Sequence, residues 1–258
     1  MRRNSSPSRL PAPYLRSIRL DVAKPFDSKR HPFSLPCLAA EPFQLEFTKP
    51  VTILVGPNGS GKSTILEAIA ALCGFGLHGG SRNYNAGSGL DEGKRSELAA
   101  HLKAAWLPKV TRGFFVRSES LFALLNQIDE FDAAGLYGVD TLTKLSHGEA
   151  YLNLFSNRLE QGGLYIFDEP EAALSPSRQI EFLRLLRARE LARDSQFIIA
   201  THSPLVMAYP GATLLHLTES GLIERPYAMT EHFRLMREFY LDPDGFMEAL
   251  FGDLPAEE

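Results

Sequence analysis

One stretch of the chain combines glycines, a lysine and a hydroxyl at a fixed spacing. Residues 56–63 fit the pattern G-x-x-x-x-G-K-[ST]. Glycines let the backbone curl so that several N–H groups point at phosphate oxygens, while the lysine reaches the β- and γ-phosphates and the serine supplies a hydroxyl for Mg²⁺. The predicted phosphate-binding residues are Gly56, Pro57, Asn58, Gly59, Ser60, Gly61, Lys62, Ser63 and Thr64, and Ser63 is also a predicted Mg²⁺ ligand.

Two adjacent carboxylates end an apolar segment about a hundred residues later. The segment 164–167 is followed directly by Asp168 and Glu169. At the end of a strand, Asp168 would hold Mg²⁺, directly or through water. Glu169 would orient or deprotonate an attacking water. Together with the phosphate loop, this pair predicts binding and hydrolysis of a nucleoside triphosphate.

The elements that must position these groups alternate between strand and helix. Strand patterns cover 15–22, 43–47, 51–55, 113–117, 164–168 and 196–201, and a hairpin joins 213–217 to 222–225. Helical patterns start near residue 61 and cover 94–107, 119–128, 149–160, 177–193 and the tail from 230. The central strands are almost wholly apolar, which is typical of strands covered on both faces. The predicted fold class is therefore α/β, with a mostly parallel central sheet, an antiparallel β portion and a small helical lobe at about 90–160.

Composition indicates one domain and narrows the class of partner. We predict a flexible arm at 1–13 and a single domain at 14–258. The chain carries 27 basic and 31 acidic side chains, a net charge of −4, although its first thirty residues hold eight basic and two acidic ones. This balance excludes general electrostatic coating of DNA but leaves a local nucleic-acid contact open.

No apolar stretch approaches the roughly 20 residues of a membrane helix, and no secretory signal pattern is present. Cys37 and Cys73 show no metal-binding spacing. We therefore expect a cytoplasmic protein with reduced cysteines and no membrane association.

Three further motifs resemble those of the ABC-type ATPases. Leu145-Ser-His-Gly-Glu149 resembles the LSGGQ signature, the segment 168–175 resembles the Walker B motif and D-loop, and the segment 201–204 resembles the switch-histidine motif. With the phosphate loop, four motifs stand in the family's order over about 56–204. The chain is most similar to the soluble ATPases grouped with SMC and RecF-type proteins.

The resemblance implies an ATP-dependent homodimer with two ATP molecules, each with Mg²⁺, between the subunits. Ser146 and the N–H of Gly148 would donate to the γ-phosphate bound by the partner. His147 and Glu149 stand where the signature has glycine and glutamine. His202 would contact the γ-phosphate of its own subunit's ATP, and the segment 173–176 would contact the partner near the signature.

Two parts of the family's site are less defined in this sequence. Glu119 is the candidate for the Q-loop position, with a surface glutamate as the alternative. Tyr14, Phe26 and Phe33 are candidates to stack on adenine, with core or loop packing as the alternative. Arg82 and Asn85 in the glycine-rich loop at 74–93, and Arg117 at a strand end, are weighed as groups near the nucleotide against solvated surface.

Three functions are compared with these motifs. The first is a soluble ATPase that works as a dimerisation switch in nucleic-acid maintenance or with a separately encoded defence nuclease. The second is the ATPase subunit of a membrane transporter, which a typical Q-loop and LSGGQ would favour. The third, a switch that only binds ATP, conflicts with Glu169 and His202. Only 82 positions separate Thr64 from Ser146, which leaves no room there for a long coiled coil.

Overall fold

The computed structural model describes residues 10–39, 43–76, 79–81, 96–130, 144–159 and 162–252. Arg82 and Asn85, and the first nine residues of the predicted arm, lie outside this part of the chain. Contacts divide the chain into two compact units, one ending at Glu224 and one beginning at Arg225. The predicted single domain at 14–258 stays a prediction.

The described elements of the first unit match most of the predicted ones. Its strands are Leu15–Leu20 (β1), Gln44–Glu46 (β2), Val51–Val55 (β3), Leu102–Trp106 (β4), Gly113–Arg117 (β5), Gly163–Asp168 (β6), Ser195–Ala200 (β7), Thr213–Thr218 (β8) and Gly221–Glu224 (β9). Its helices are Pro36–Ala39 (α1), Lys62–Cys73 (α2), Glu97–Ala100 (α3), Leu121–Glu130 (α4), His147–Arg158 (α5), Pro176–Ala192 (α6) and Pro204–Met207 (α7).

A six-stranded central sheet has the order β5-β6-β7-β3-β8-β9. Its first five strands are parallel, and β9 pairs antiparallel with β8. The predicted mostly parallel sheet is therefore confirmed. Because parallel strands share one carboxyl edge, the segments that follow Val55, Asp168 and Ala200 all leave the sheet on the same side.

Helices cover both faces of this sheet. On one face, Leu164 and Ile166 of β6 belong to the same buried cluster as the apolar side of α2. On the other, the ring of Phe167 lies 4.4 Å from that of Phe155 in α5 and 5.4 Å from that of Phe182 in α6. Side chains alternate along a strand, so Asp168 shares the α2 face with Ile166.

A smaller antiparallel sheet, in the order β2-β1-β4, corrects one prediction. The helix predicted over 94–107 is wrong beyond residue 101, because residues 102–106 pair with β1. Leu98 and Leu102 fit a helical spacing, which hides the short alternation of β4. Within the predicted helical lobe at about 90–160, the described part thus holds β4 and β5 as well as α3, α4 and α5.

The second unit contains the helices Glu231–Leu241 (α8) and Pro243–Phe251 (α9). Thr230 caps α8 by accepting the N–H of Phe233 over 3.0 Å, and the rings of Phe239 and Phe246 lie 5.8 Å apart. Among the described residues of both units, no helix combines the length and the apolar character needed to cross a membrane.

Candidate functional site

The predicted phosphate loop lies between β3 and α2. Gly61 precedes α2 in the left-handed region at φ 99°, and a Cβ added there would lie 2.8 Å from Leu35 Cδ1. The backbone angle therefore requires glycine, and a Cβ at this position would also have to displace the side chain of Leu35. Gly61, the N-cap residue of α2, has no side chain to cap the helix, so the first N–H groups and the dipole of α2 are available to the loop. This arrangement suits a phosphate group.

Lys62 is folded back against the loop that it follows. Its Nζ donates to the carbonyl oxygens of Gly56 over 2.8 Å and Pro57 over 3.1 Å. Burial lowers the pKa of Lys62, and the nearby charges of Glu169 and Asp168 act in the opposite direction. The ammonium group is thus held at the centre of the loop, where the sequence predicts the contact with phosphate.

Ser63 and Asp168 bring two oxygen ligands together. Ser63 Oγ donates to Asp168 Oδ1 over 3.1 Å. Asp168 is buried, which raises its pKa to about 6, while the hydrogen bond from Ser63 and the charge of Arg117 act against this rise. A hydroxyl and a carboxylate side by side are the hard oxygen donors that Mg²⁺ prefers. The two residues predicted as Mg²⁺ ligands therefore fit that ion.

Glu169 and His202 face each other across the carboxyl edge of the sheet. His202 Nε2 lies 3.8 Å from Glu169 Oε1. Glu169 has a left-handed backbone with φ 53°, which costs about 1–2 kcal/mol for a residue with a Cβ. Its N–H donates to the carbonyl of Ala200 over 2.9 Å, and its carbonyl accepts Ser118 Oγ over 2.5 Å. These two bonds hold the strained turn in place.

Arg117 connects three acidic groups beside the Mg²⁺ ligands. Its guanidinium pairs with Glu67 of α2, donates to Glu119 Oε2 over 2.9 Å and places Nε 3.6 Å from Asp168 Oδ2. The side chain of Glu119 is 84% exposed. Of the two residues, Arg117 is the one that reaches the predicted Mg²⁺ site.

A cavity of about 420 Å³ lies beside the predicted Mg²⁺ ligands. It is lined by Ser63, Arg117, Glu119, Asp168, Glu169 and Ala173, among others. Glu119 also lines this cavity. The Q-loop role of Glu119 stays a prediction.

The predicted signature begins α5. Ser146 is the N-cap, and with Glu149 it forms a capping box in which each residue's side chain accepts the backbone N–H of the other. A Cβ on Gly148 would lie 3.2 Å from the carbonyl oxygen of Ala173, so the signature and the D-loop segment touch within one chain. His147 starts the helix, and its side chain lies outside the described part.

The aromatic candidates for adenine stacking differ in burial. Tyr14 and Phe33 are 4% exposed. Phe33 stacks on Phe26 with ring centroids 4.7 Å apart and contacts His101 edge-on at 4.8 Å. Phe26 is only partly buried. The packing alternative therefore describes Tyr14 and Phe33, and the adenine-stacking role of Phe26 stays a prediction.

Sequence reasoning assigned no role to Glu171 or Gln179. Glu171 Oε1 accepts the N–H groups of His202 and Ser203, and Gln179 Oε1 accepts the hydroxyl of Ser203 over 2.5 Å. The one available signal was a second glutamate in the segment Asp168-Glu-Pro-Glu171. The partners of Glu171 are backbone atoms 31 and 32 residues away, which no local pattern reveals.

Comparison with known families matches two parts of the chain. Residues 33–103 match a family described as an AAA domain. Residues 142–208 match one described as an AAA domain, putative AbiEii toxin, type IV TA system. The first segment contains the phosphate loop, and the second contains Ser146, Asp168, Glu169 and His202.

Individual proteins that bind ATP or partition chromosomes, by their names, match longer stretches of this chain. The cytochrome c biogenesis ATP-binding export protein CcmA of Rhizobium etli is 32% identical over 167 residues, which cover 59% of this chain and 75% of CcmA. The chromosome partition protein Smc of Bacillus subtilis is 33% identical over 157 residues, 52% of this chain and 13% of Smc.

Among solved structures, CbiO1 from Clostridium perfringens, part of the ABC transporter complex cbiONQ, superposes with a TM-score of 0.51. It is 16% identical, and the superposition covers 92% of this chain and 99% of CbiO1. At this identity, the likeness shows a common fold.

Proposed function

This chain belongs to the ABC-type ATPases, and we propose that it hydrolyses ATP with Mg²⁺ and works as a nucleotide-driven dimerisation switch in the cytoplasm. One observation carries the proposal. The Ser63–Asp168 pair lies at the same sheet edge as Lys62 and Glu169, with His202 3.8 Å from Glu169. The phosphate cradle, the metal ligands, the base and the histidine thus lie at one edge of the sheet, where Ser63, Asp168 and Glu169 line the same cavity.

Each residue has a distinct part in this proposal. The loop N–H groups and Lys62 bind the phosphates, and Ser63 and Asp168 hold Mg²⁺, which when bound neutralises developing charge on the phosphates. Glu169 orients the attacking water and takes its proton. His202, which lies beside Glu169, would contact the γ-phosphate of the ATP bound by its own subunit.

Dimerisation completes the site in this proposal. Ser146 and Gly148 at the N-terminus of α5 supply donors to the γ-phosphate bound by a second copy. The contact of Gly148 with Ala173 supports it, because the signature and the D-loop then move as one surface when two copies close. Closing and opening of the dimer would drive a separately encoded effector.

Two kinds of effector are supported by different relatives. Similarity to Smc, and to a family described as a putative AbiEii toxin, favours nucleic-acid maintenance or a defence nuclease. The similarity to CcmA favours the alternative, the ATPase subunit of a membrane transporter. We favour the first, because Glu119 and the segment Ser146-His-Gly-Glu149 depart from the transporter-like Q-loop and signature.

The experiment uses Glu169→Gln, which keeps the shape of the side chain but removes the base. We expect the variant to bind ATP like wild type, to lose turnover by about 100-fold or more, and to form dimers with ATP in light scattering. Adding Ser146→Arg should abolish those dimers. Wild-type turnover in Glu169→Gln refutes the catalytic role, and dimers that persist with Ser146→Arg refute the shared site.

Experiments with the ATP-bound Glu169→Gln dimer also distinguish between the two kinds of effector. We would test it for binding to double-stranded DNA and, separately, for recovery with membranes. DNA binding that requires ATP supports the first function, and ATP-dependent membrane recovery supports the second.

A further inference from the structure

We propose that Glu171 is a positioning residue for His202: its carboxylate fixes the backbone of the loop that carries the histidine, and turnover depends on it through that loop. The inference rests on the proposed ATPase function. It concerns a residue that follows Glu169 by two positions and lies in the 3-10 turn Pro170–Ala173.

Two hydrogen bonds carry this inference. Glu171 Oε1 accepts the N–H of His202 over 2.5 Å and the N–H of Ser203 over 3.1 Å. Hydrogen bonds to an ionised acceptor are the strong ones. The turn that holds Glu169 and the loop that holds His202 are therefore fastened by one carboxylate.

The carboxylate is committed to this loop. Glu171 Oε2 is buried and accepts no hydrogen bond from the described residues. Its two loop bonds thus account for all of its hydrogen bonding within that part of the chain. Glu171 as a whole is partly buried. A carboxylate in such a place with a single set of partners is expected to be held by them, and to hold them in return.

The other side of the loop is anchored independently. Ser203 Oγ donates to Gln179 Oε1 over 2.5 Å and accepts the N–H of Val206 over 3.3 Å, and Gln179 Nε2 donates to the carbonyl of Leu174 over 3.1 Å. Loss of Glu171 would therefore loosen the His202 side of the loop while Ser203 stays attached. Because Ser203 keeps these bonds, we expect Glu171→Ala to change the position of His202 without unfolding the protein.

Two replacements of Glu171 distinguish the effect of its hydrogen bonds from the effect of its charge. Glu171→Ala removes both hydrogen bonds, and we expect turnover to fall about 10- to 100-fold, the effect of misplacing a catalytic group by about 1 Å. Glu171→Gln keeps an oxygen in the same place, and we expect turnover to stay within about threefold of wild type. ATP affinity should not fall in either variant, because Glu171 makes no hydrogen bond to the phosphate loop.

A double-mutant cycle tests the route of the effect. Turnover is measured for wild type, Glu171→Ala, His202→Ala and the double variant, with thermal unfolding to check that each is folded. If Glu171 acts through His202, the double variant is no slower than His202→Ala. A multiplicative loss, or an equal loss in Glu171→Gln and Glu171→Ala, overturns the inference.

Amide hydrogen exchange provides a readout that needs no nucleotide. The N–H of His202 should exchange faster in Glu171→Ala than in wild type and Glu171→Gln, whereas the N–H of Ser203 also donates to Thr201 Oγ1 over 2.9 Å and keeps that acceptor. The amides of β7 serve as the reference. Unchanged exchange in Glu171→Ala overturns the inference. Absence of ATPase activity in wild type refutes the proposed function, and the role in turnover with it. Activity lost in His202→Ala but kept in Glu171→Ala refutes the inference alone.

Discussion

The hydroxyl of Ser146 donates a hydrogen bond to Glu149 Oε2 over 2.8 Å, and the same oxygen accepts the N–H of Ser146 over 3.1 Å. These bonds lower the pKa of Glu149, so its carboxylate is ionised at neutral pH. The serine that we propose as a donor to a partner's γ-phosphate thus already has an anionic acceptor. Arg178 Nη2, 3.4 Å from Glu149 Oε1, offsets part of the negative charge.

Glu149→Gln should therefore strengthen ATP-dependent dimerisation. The variant removes the charge that repels the incoming phosphates and leaves an amide oxygen to cap the helix. We expect the dimer to form about two- to fivefold more tightly, a size typical of an exposed charge. Sedimentation of the Glu169→Gln protein with ATP, with and without Glu149→Gln, measures the change.

Glu181→Gln is the matched control for this effect. Glu181 also pairs with Arg178, over 3.0 Å, and its side chain has the same 48% exposure as that of Glu149. Within the described part of the chain, the side chain of Glu181 makes no hydrogen bond to Ser146. Equal strengthening by the two substitutions would mean that net charge matters rather than the charge at the signature.

The burial of Asp168 predicts a pH dependence of the Mg²⁺ effect on ATP binding. Its pKa is raised to about 6, and only the ionised carboxylate binds Mg²⁺ well. The carboxylate is ionised above about pH 7 and becomes protonated as the pH falls through 6. We therefore expect Mg²⁺ to enhance ATP binding fully at pH 7.5 and about tenfold less at pH 5. Titration calorimetry with Mg²⁺ or with EDTA measures this ratio.

Asp168→Asn provides the reference for this prediction. ATP itself titrates in the same range, and the variant keeps that contribution while it lacks the carboxylate. The difference between wild type and Asp168→Asn then isolates Asp168. If the two proteins lose their Mg²⁺ effect in parallel between pH 7.5 and 5, the raised pKa of Asp168 is not responsible.

Much of the fold and the centre of the site were predictable because their signals are local. The loop 56–63 lies between an apolar strand and a helix in both sequence and structure, and Asp168 ends a strand whose six residues are all buried. The phosphate loop, the Asp168–Glu169 pair and the segment 201–204 each follow a parallel strand, so the topology that brings these three together also follows from the alternation of strands and helices.

Other features depend on pairing partners far along the chain. The sequence predicts helix at β4, because its alternation extends over only five residues and Leu98 and Leu102 fit a helical spacing; its pairing with β1 decides for a strand. Glu171 bonds to backbone N–H groups, which every residue except proline supplies, so its partners leave no trace in the sequence. The pairing of Arg117 with Glu67, one turn into α2, likewise leaves no local signal, and the phosphate or signature contact of Arg117 stays a prediction.

The hydrogen-bond partners of Gln196 also lie far along the chain, so the sequence does not reveal its role. This fully buried side chain in β7 accepts the N–H groups of Tyr14 and Leu15, each over 2.8 Å, and donates to the carbonyl of Leu15 over 3.0 Å. It thereby joins the central sheet to β1 of the smaller sheet. Gln196→Leu keeps a similar volume but leaves three backbone groups without their partner. We expect the free energy of unfolding to fall by about 2–5 kcal/mol.

Urea unfolding followed by circular dichroism measures this loss, with Gln44→Leu as the control. Gln44 is an exposed strand residue of β2 that bonds to Glu46 over 2.8 Å, so the same substitution removes only a surface hydrogen bond. We expect a change within about 0.5 kcal/mol there. Similar losses in the two variants would show that the leucine itself, rather than the backbone groups of Tyr14 and Leu15, causes the effect. A loss confined to Gln196→Leu would place the junction of the two sheets on this one amide.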